Sequence, residues 1–93
     1  MAIAMARHIL VKSKEEAERL KQKLAKGADF GKLAKQHSIC PSKKREGDLG
    51  EVRPGQMVRA VDQVIFKKPL KQIHGPVKTQ FGYHLIQVIF RDK

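Results

Sequence analysis

An extended apolar run that gives way at once to a helix start is the feature that most constrains this chain. From Ala4 to Lys12, the residues Met5, Ile9, Leu10 and Val11 put apolar side chains on both faces of one extended segment, the pattern of an interior strand with His8 at its middle. Ser13-Lys14-Glu15-Glu16 follows as a capping box, in which the Ser13 hydroxyl and the Glu16 carboxylate satisfy free amides of a first helical turn. A helix from Lys14 to Lys26 is expected, burying Ala17, Leu20 and Leu24, with Gly27 as its left-handed stop. An interior strand needs neighbours on both sides, and an amphipathic helix needs a surface to cover. The fold must therefore combine helices with a sheet.

The rest of the chain repeats this alternation. Asp29 caps a shorter helix through Gln36 that buries Phe30, Leu33 and Ala34. Periodicity then stops, and Pro41, Ser42, Gly47 and Gly50 punctuate a basic loop from Ser38 to Gly50. A short strand at Leu49–Val52, a turn at Arg53–Gln56 and a helix from Val58 to Phe66 burying Val61, Val64 and Ile65 come next. Strands at Ile73–Lys78 and Tyr83–Phe90 close the chain, joined by Thr79-Gln80-Phe81-Gly82. The order β-α-α-β-α-β-β reads as an α+β fold, with helices packed on a mostly antiparallel sheet.

At 93 residues the chain is expected to form one domain, spanning residues 1–93, with a shallow groove as its site. That length excludes an enzyme with a separate cofactor domain. Hydrophobic residues at 41% and charged residues at 31% suit a folded soluble domain and are too apolar for a disordered tail. The lone Cys40 cannot form an internal disulfide, and the residues from Met1 to Ala6 lack a leader pattern, so a cytoplasmic location is expected. No stretch approaches the roughly 20 apolar residues of a membrane span, and a monomer without membrane association is expected. The formal charge of +11 predicts weak, non-specific nucleic acid binding.

Six segments together resemble the parvulin-type peptidyl-prolyl cis/trans isomerases, and in particular the small stand-alone bacterial parvulin. They are His8-Ile9-Leu10-Val11, Phe30-Gly31-Lys32-Leu33-Ala34-Lys35, His37-Ser38-Ile39-Cys40-Pro41-Ser42, Gly47-Asp48-Leu49-Gly50-Glu51, Gly55-Gln56-Met57-Val58 and Phe81-Gly82-Tyr83-His84. They occur in family order over nearly the whole chain. The resemblance implies a four-stranded antiparallel sheet wrapped by helices, with His8 and His84 side by side on the central strands. It also implies rotation about Xaa-Pro amides in unfolded or flexible chains, without metal or nucleotide cofactor. By the same resemblance, His8, Cys40 and His84 form the catalytic group, Cys40 facing the substrate carbonyl above a histidine floor. Leu49, Met57, Val61 and Phe81 bind the proline, and Thr79 anchors the histidine pair.

Some positions depart from the family pattern. Arg59 and Val61 stand on the third helix where proline and phenylalanine are frequent, and Val61 offers a proline ring fewer carbons than an aromatic wall would. Only Lys12, Ser13 and Lys14 link the first strand to the first helix, where phosphate-directed members carry a longer basic loop, so no phosphoserine requirement is expected. Read without the family, a histidine within a strand is more often a core residue with its hydrogen bonds made, and Cys40 an inert thiol. His37 and Cys40 are spaced like half of a zinc site, but no second ligand pair follows. The alternative function is a basic binding module for proline-containing peptides or nucleic acid, with weak or no turnover.

Overall fold

The computed structural model describes residues 2–92; Met1 and Lys93, the ends of the expected domain, lie outside the described residues. The order is β1 (Ile3–Val11), α1 (Lys14–Ala25), α2 (Phe30–His37), a 3-10 turn (Pro41–Arg45), β2 (Asp48–Val52), α3 (Arg59–Lys67), β3 (Ile73–Thr79) and β4 (Gly82–Asp92). The four strands form one antiparallel sheet in the order β2-β1-β4-β3, so β1 and β4 are interior, as the two-faced apolar pattern of β1 requires.

Strand alternation divides the core between the two faces of the sheet. Ala4, Ala6, Ile86 and Val88 face α3 and pack with Val52, Val61, Val64 and Ile65. Ile9, Val11 and Leu85 point the other way, under Ala17 and Leu20 of α1 and Phe30, Leu33 and Ala34 of α2. His8, Leu10 and His84 have the parity of the α3 face and carry it beyond that apolar cluster. This register sets the site, because a one-residue slip of either strand would send its histidine into the opposite core.

The helix signals act locally. Ser13 accepts the Glu16 N–H at 3.1 Å and Asp29 accepts the Lys32 N–H at 2.8 Å. Half of the expected capping box is replaced: the Glu16 carboxylate lies 3.7 Å from His37 Nδ1, joining α1 to α2, instead of returning to the Ser13 amide. Gly47 has φ +87°, and a Cβ there would sit 2.6 Å from the His8 carbonyl oxygen. Only glycine lets the chain lie against β1 at that point, where the His8 N–H donates to the Gly47 carbonyl at 2.9 Å.

Two expectations change. The stretch from Ser38 to Gly50 is not an open loop: it contains the 3-10 turn, and β2 starts inside it at Asp48. A five-residue 3-10 turn is too short to leave a readable apolar period. The third helix starts at Arg59, because Val58 is extended (φ −57°, ψ 151°) and serves as its N-cap. Met57 therefore precedes the helix and does not share a helical face with Val61.

Candidate active site

A cavity of about 400 Å³ opens on the α3 side of the sheet, lined by His8, Leu10, Ile39, Cys40, Pro41, Met57, Val58, Phe81 and His84. Its walls are mostly apolar and its floor is a pair of imidazoles. The size suits one small ring and its flanking peptide groups. Phe81 sits in the two-residue turn of the β3–β4 hairpin and Ile39 just past α2; both are about half exposed and form an apolar rim.

The strand pairing determines how the histidines meet. His8 lies opposite Ile86 and His84 opposite Leu10, so the two are diagonal neighbours on one face of the β1–β4 ladder. Their Nδ1 atoms are 3.1 Å apart and their rings stack at a centroid distance of 5.2 Å. Both are buried. Burial, and then the adjacent His84, push the His8 pKa down to about 4, and burial lowers that of His84. The pair is therefore neutral at pH 7, and one Nδ1 donates a hydrogen to the other.

Thr79 is the second hydrogen-bond partner of His84. Its hydroxyl oxygen accepts the Phe81 N–H at 3.1 Å and lies 2.7 Å from His84 Nε2. With the Thr79 hydroxyl donating to His84 Nε2, His84 Nδ1–H donates to His8 Nδ1. The remaining proton then sits on His8 Nε2, a buried atom without a partner among the described residues. Ser38, also buried, accepts the Leu10 N–H at 3.0 Å and the Cys40 N–H at 3.3 Å, and the Ile39 N–H donates to the Leu10 carbonyl at 2.8 Å. These bonds pin the Cys40 segment onto β1 beside the histidines.

The cavity thus brings together His8, Cys40, His84, Met57 and Phe81, with Thr79 behind the pair. Val61 is fully buried in the cluster between α3 and the sheet and does not line the cavity; Met57 and Leu49 pack against that cluster. Leu49 lies in an adjoining groove with Pro41, Ser42, Arg45 and Asp48. Sequence reasoning passed over Leu10, Ser38, Ile39, Pro41 and Val58 as site residues. Leu10 is two positions from His8 on the same strand face, and Ser38, Ile39 and Pro41 flank Cys40 in a segment already singled out, so spacing alone could have found them.

Comparison with known proteins agrees with this geometry. Residues 7–89 match the family model described as Rotamase: PPIC-type PPIASE domain. The Foldase protein PrsA of Geobacillus sp. (strain WCH70) is 47% identical over 89 residues, covering 95% of this chain and 32% of the relative. The crystal structure of peptidylprolyl isomerase (PrsA) from Bacillus anthracis superposes with a TM-score of 0.95 at 38% identity, covering 99% of this chain and 43% of that one. NmPin, the parvulin of Nitrosopumilus maritimus, gives a TM-score of 0.87 at 37% identity, covering 97% of this chain and 98% of its own.

The curated relatives overturn the expected location and the expected absence of membrane association. A cytoplasmic location without membrane association does not stand, because the curated relatives it matches are PrsA foldases. The chain spans about a third of the curated relative it matches. A single cysteine and the residues at the start of such a stretch carry no information about compartment.

Proposed function

Because the chain belongs to the parvulin-type family of PPIC-type PPIase domains, we propose that residues 1–93 act as one isomerase domain that rotates Xaa-Pro amides in unfolded or flexible chains. The observation that carries this reading is a neutral, hydrogen-bonded histidine pair under a mostly apolar cavity sized for a proline ring. Rotation about a prolyl amide must cross a barrier of ~20 kcal/mol and takes roughly 10 to 100 s unaided. No bond is broken, so the protein needs only to bind the twisted amide better than the planar one.

The cavity offers that difference. Twisting returns electron density to the prolyl nitrogen and reduces charge separation in the carbonyl, so the twisted amide is less polar and loses less on leaving water. Met57, Val58 and Phe81 clamp the ring, Cys40 lies beside the carbonyl, and the histidines hold the floor. The pair orients and does not titrate, since isomerisation needs no proton transfer. Val61 acts from behind, supporting the wall against which Met57 packs. Leu49 meets the chain beyond the proline in the adjoining groove.

Within the family, the six quoted segments support a likeness to the small stand-alone bacterial parvulin. Only Lys12 and Ser13 separate β1 from α1, which supports action on unphosphorylated substrates. A protease-coupled isomerisation assay on a panel of Xaa-Pro peptides tests the proposal. Acceleration of unphosphorylated peptides supports it; binding of the same peptides without acceleration identifies a binding module.

A further inference from the structure

Two grooves adjoin the proline cavity, and they differ in charge. One, shared through Pro41, contains both Arg45 and Asp48. The other, about 340 Å³ and shared through Val58, is lined by Val58, Arg59, Ala60, Thr79 and Gln80 and contains a cation without a carboxylate. Arg59 is exposed, and its side chain makes no hydrogen bond or ion pair among the described residues. The acid nearest to it along α3, Asp62, accepts the Gly55 N–H at 3.0 Å. An unpaired guanidinium beside a substrate cleft is a fork of donors suited to a carboxylate.

We infer that Arg59 is a specificity-determining residue, which selects substrates carrying an aspartate or glutamate within two residues of the isomerised proline. The inference rests on the isomerase reading of the cavity. Its reach follows from chain geometry: an extended peptide advances about 3.3 to 3.6 Å per residue, so a side chain one or two positions from a proline in the cavity falls in the adjoining groove. Gln80, on the opposite wall, supplies an amide that can share the carboxylate. Because Arg59 is exposed, the selection is modest and screened by salt.

The test measures turnover and dissociation constants on one set of proline peptides, with Glu, Gln or Lys at each of the two positions on either side of the proline. The wild-type protein should favour Glu over Gln by about two- to fivefold at one of these positions, the scale of an exposed ion pair. Lys should be disfavoured there, and both ratios should shrink as salt rises. Arg59→Gln should bring the Glu-to-Gln ratio to one, Arg59→Glu should favour Lys, and Arg59→Lys should keep part of the preference. An equal ratio in the wild type at every position, or the same preference in Arg59→Gln, overturns the inference. Binding separates it from the isomerase reading: a Glu preference in affinity that depends on Arg59, with no turnover of any peptide, refutes isomerisation and leaves Arg59 selective.

Discussion

His8 Nδ1 and His84 Nδ1 lie 3.1 Å apart because their strands place them diagonally on one face of the β1–β4 ladder. The contact links register to chemistry. Two buried imidazoles so close cannot both be charged at acceptable cost, and neutrality gives the cavity a polar but uncharged floor.

The first prediction concerns pH. The folded His8 pKa of about 4 is below the unfolded value of 6.5, and that of His84 is lowered too. The unfolded state therefore binds more protons in that window, so stability is full above pH 6.5 and falls as pH drops toward 4. For His8 alone the loss reaches about 2 kcal/mol by pH ~5, with His84 acting in the same direction. Urea unfolding at pH 7 and pH 5 measures it. A free energy that stays constant between them contradicts the neutral pair.

Thr79→Val removes the hydroxyl 2.7 Å from His84 Nε2 and leaves that nitrogen without its donor. A lost buried partner costs about 1 to 3 kcal/mol, so kcat/KM should fall by roughly tenfold or more as the pair loses its anchor. Thr79→Ser should restore activity. Imidazole nitrogen chemical shifts should report protonated His84 Nδ1 and His8 Nε2 in the wild type and a mixture of tautomers in Thr79→Val.

Cys40→Ser should retain substantial activity, within about tenfold of wild type, because rotation needs a suitable polarity near the carbonyl and no bond to sulfur. Peptide isomerisation rates on the folded variant measure this. Complete loss of activity with an unchanged fold would point to a thiolate mechanism.

Val61→Phe distinguishes a residue behind the wall from one on it. Val61 is fully buried in the α3 cluster, so the larger ring should overpack the core at a cost of about 1 to 3 kcal/mol, lowering Tm by about 4 to 8 °C for each kcal/mol. Turnover per folded molecule should not rise. A several-fold gain in kcat/KM with Tm unchanged would mean that position 61 touches the substrate.

Much of this was legible in the sequence, for identifiable reasons. The two-faced apolar pattern of β1, the Ser13 and Asp29 caps and the three apolar positions of α3 are strong local signals, and the elements formed where they stood. His8, Cys40, His84, Met57 and Phe81 could be named in advance because their segments resemble a family; nothing in periodicity alone would join residues 8 and 84. The 3-10 turn was missed because five residues leave no apolar period. The extended backbone of Val58, which starts the third helix one residue later than expected, depends on the approach of the preceding turn, a tertiary fact. The expected location does not stand because a lone thiol and the start of a stretch carry no compartment signal when the curated relatives are about three times as long.

The central claim is that the cavity over the histidine pair lowers the barrier to prolyl rotation. Exchange spectroscopy on short unphosphorylated Xaa-Pro peptides measures the cis/trans interconversion directly, without a coupling protease. The account predicts exchange faster than the unaided 10 to 100 s timescale at catalytic protein concentrations, with no phosphate on the residue before proline. The absence of acceleration for every Xaa residue, with the protein folded, would contradict it.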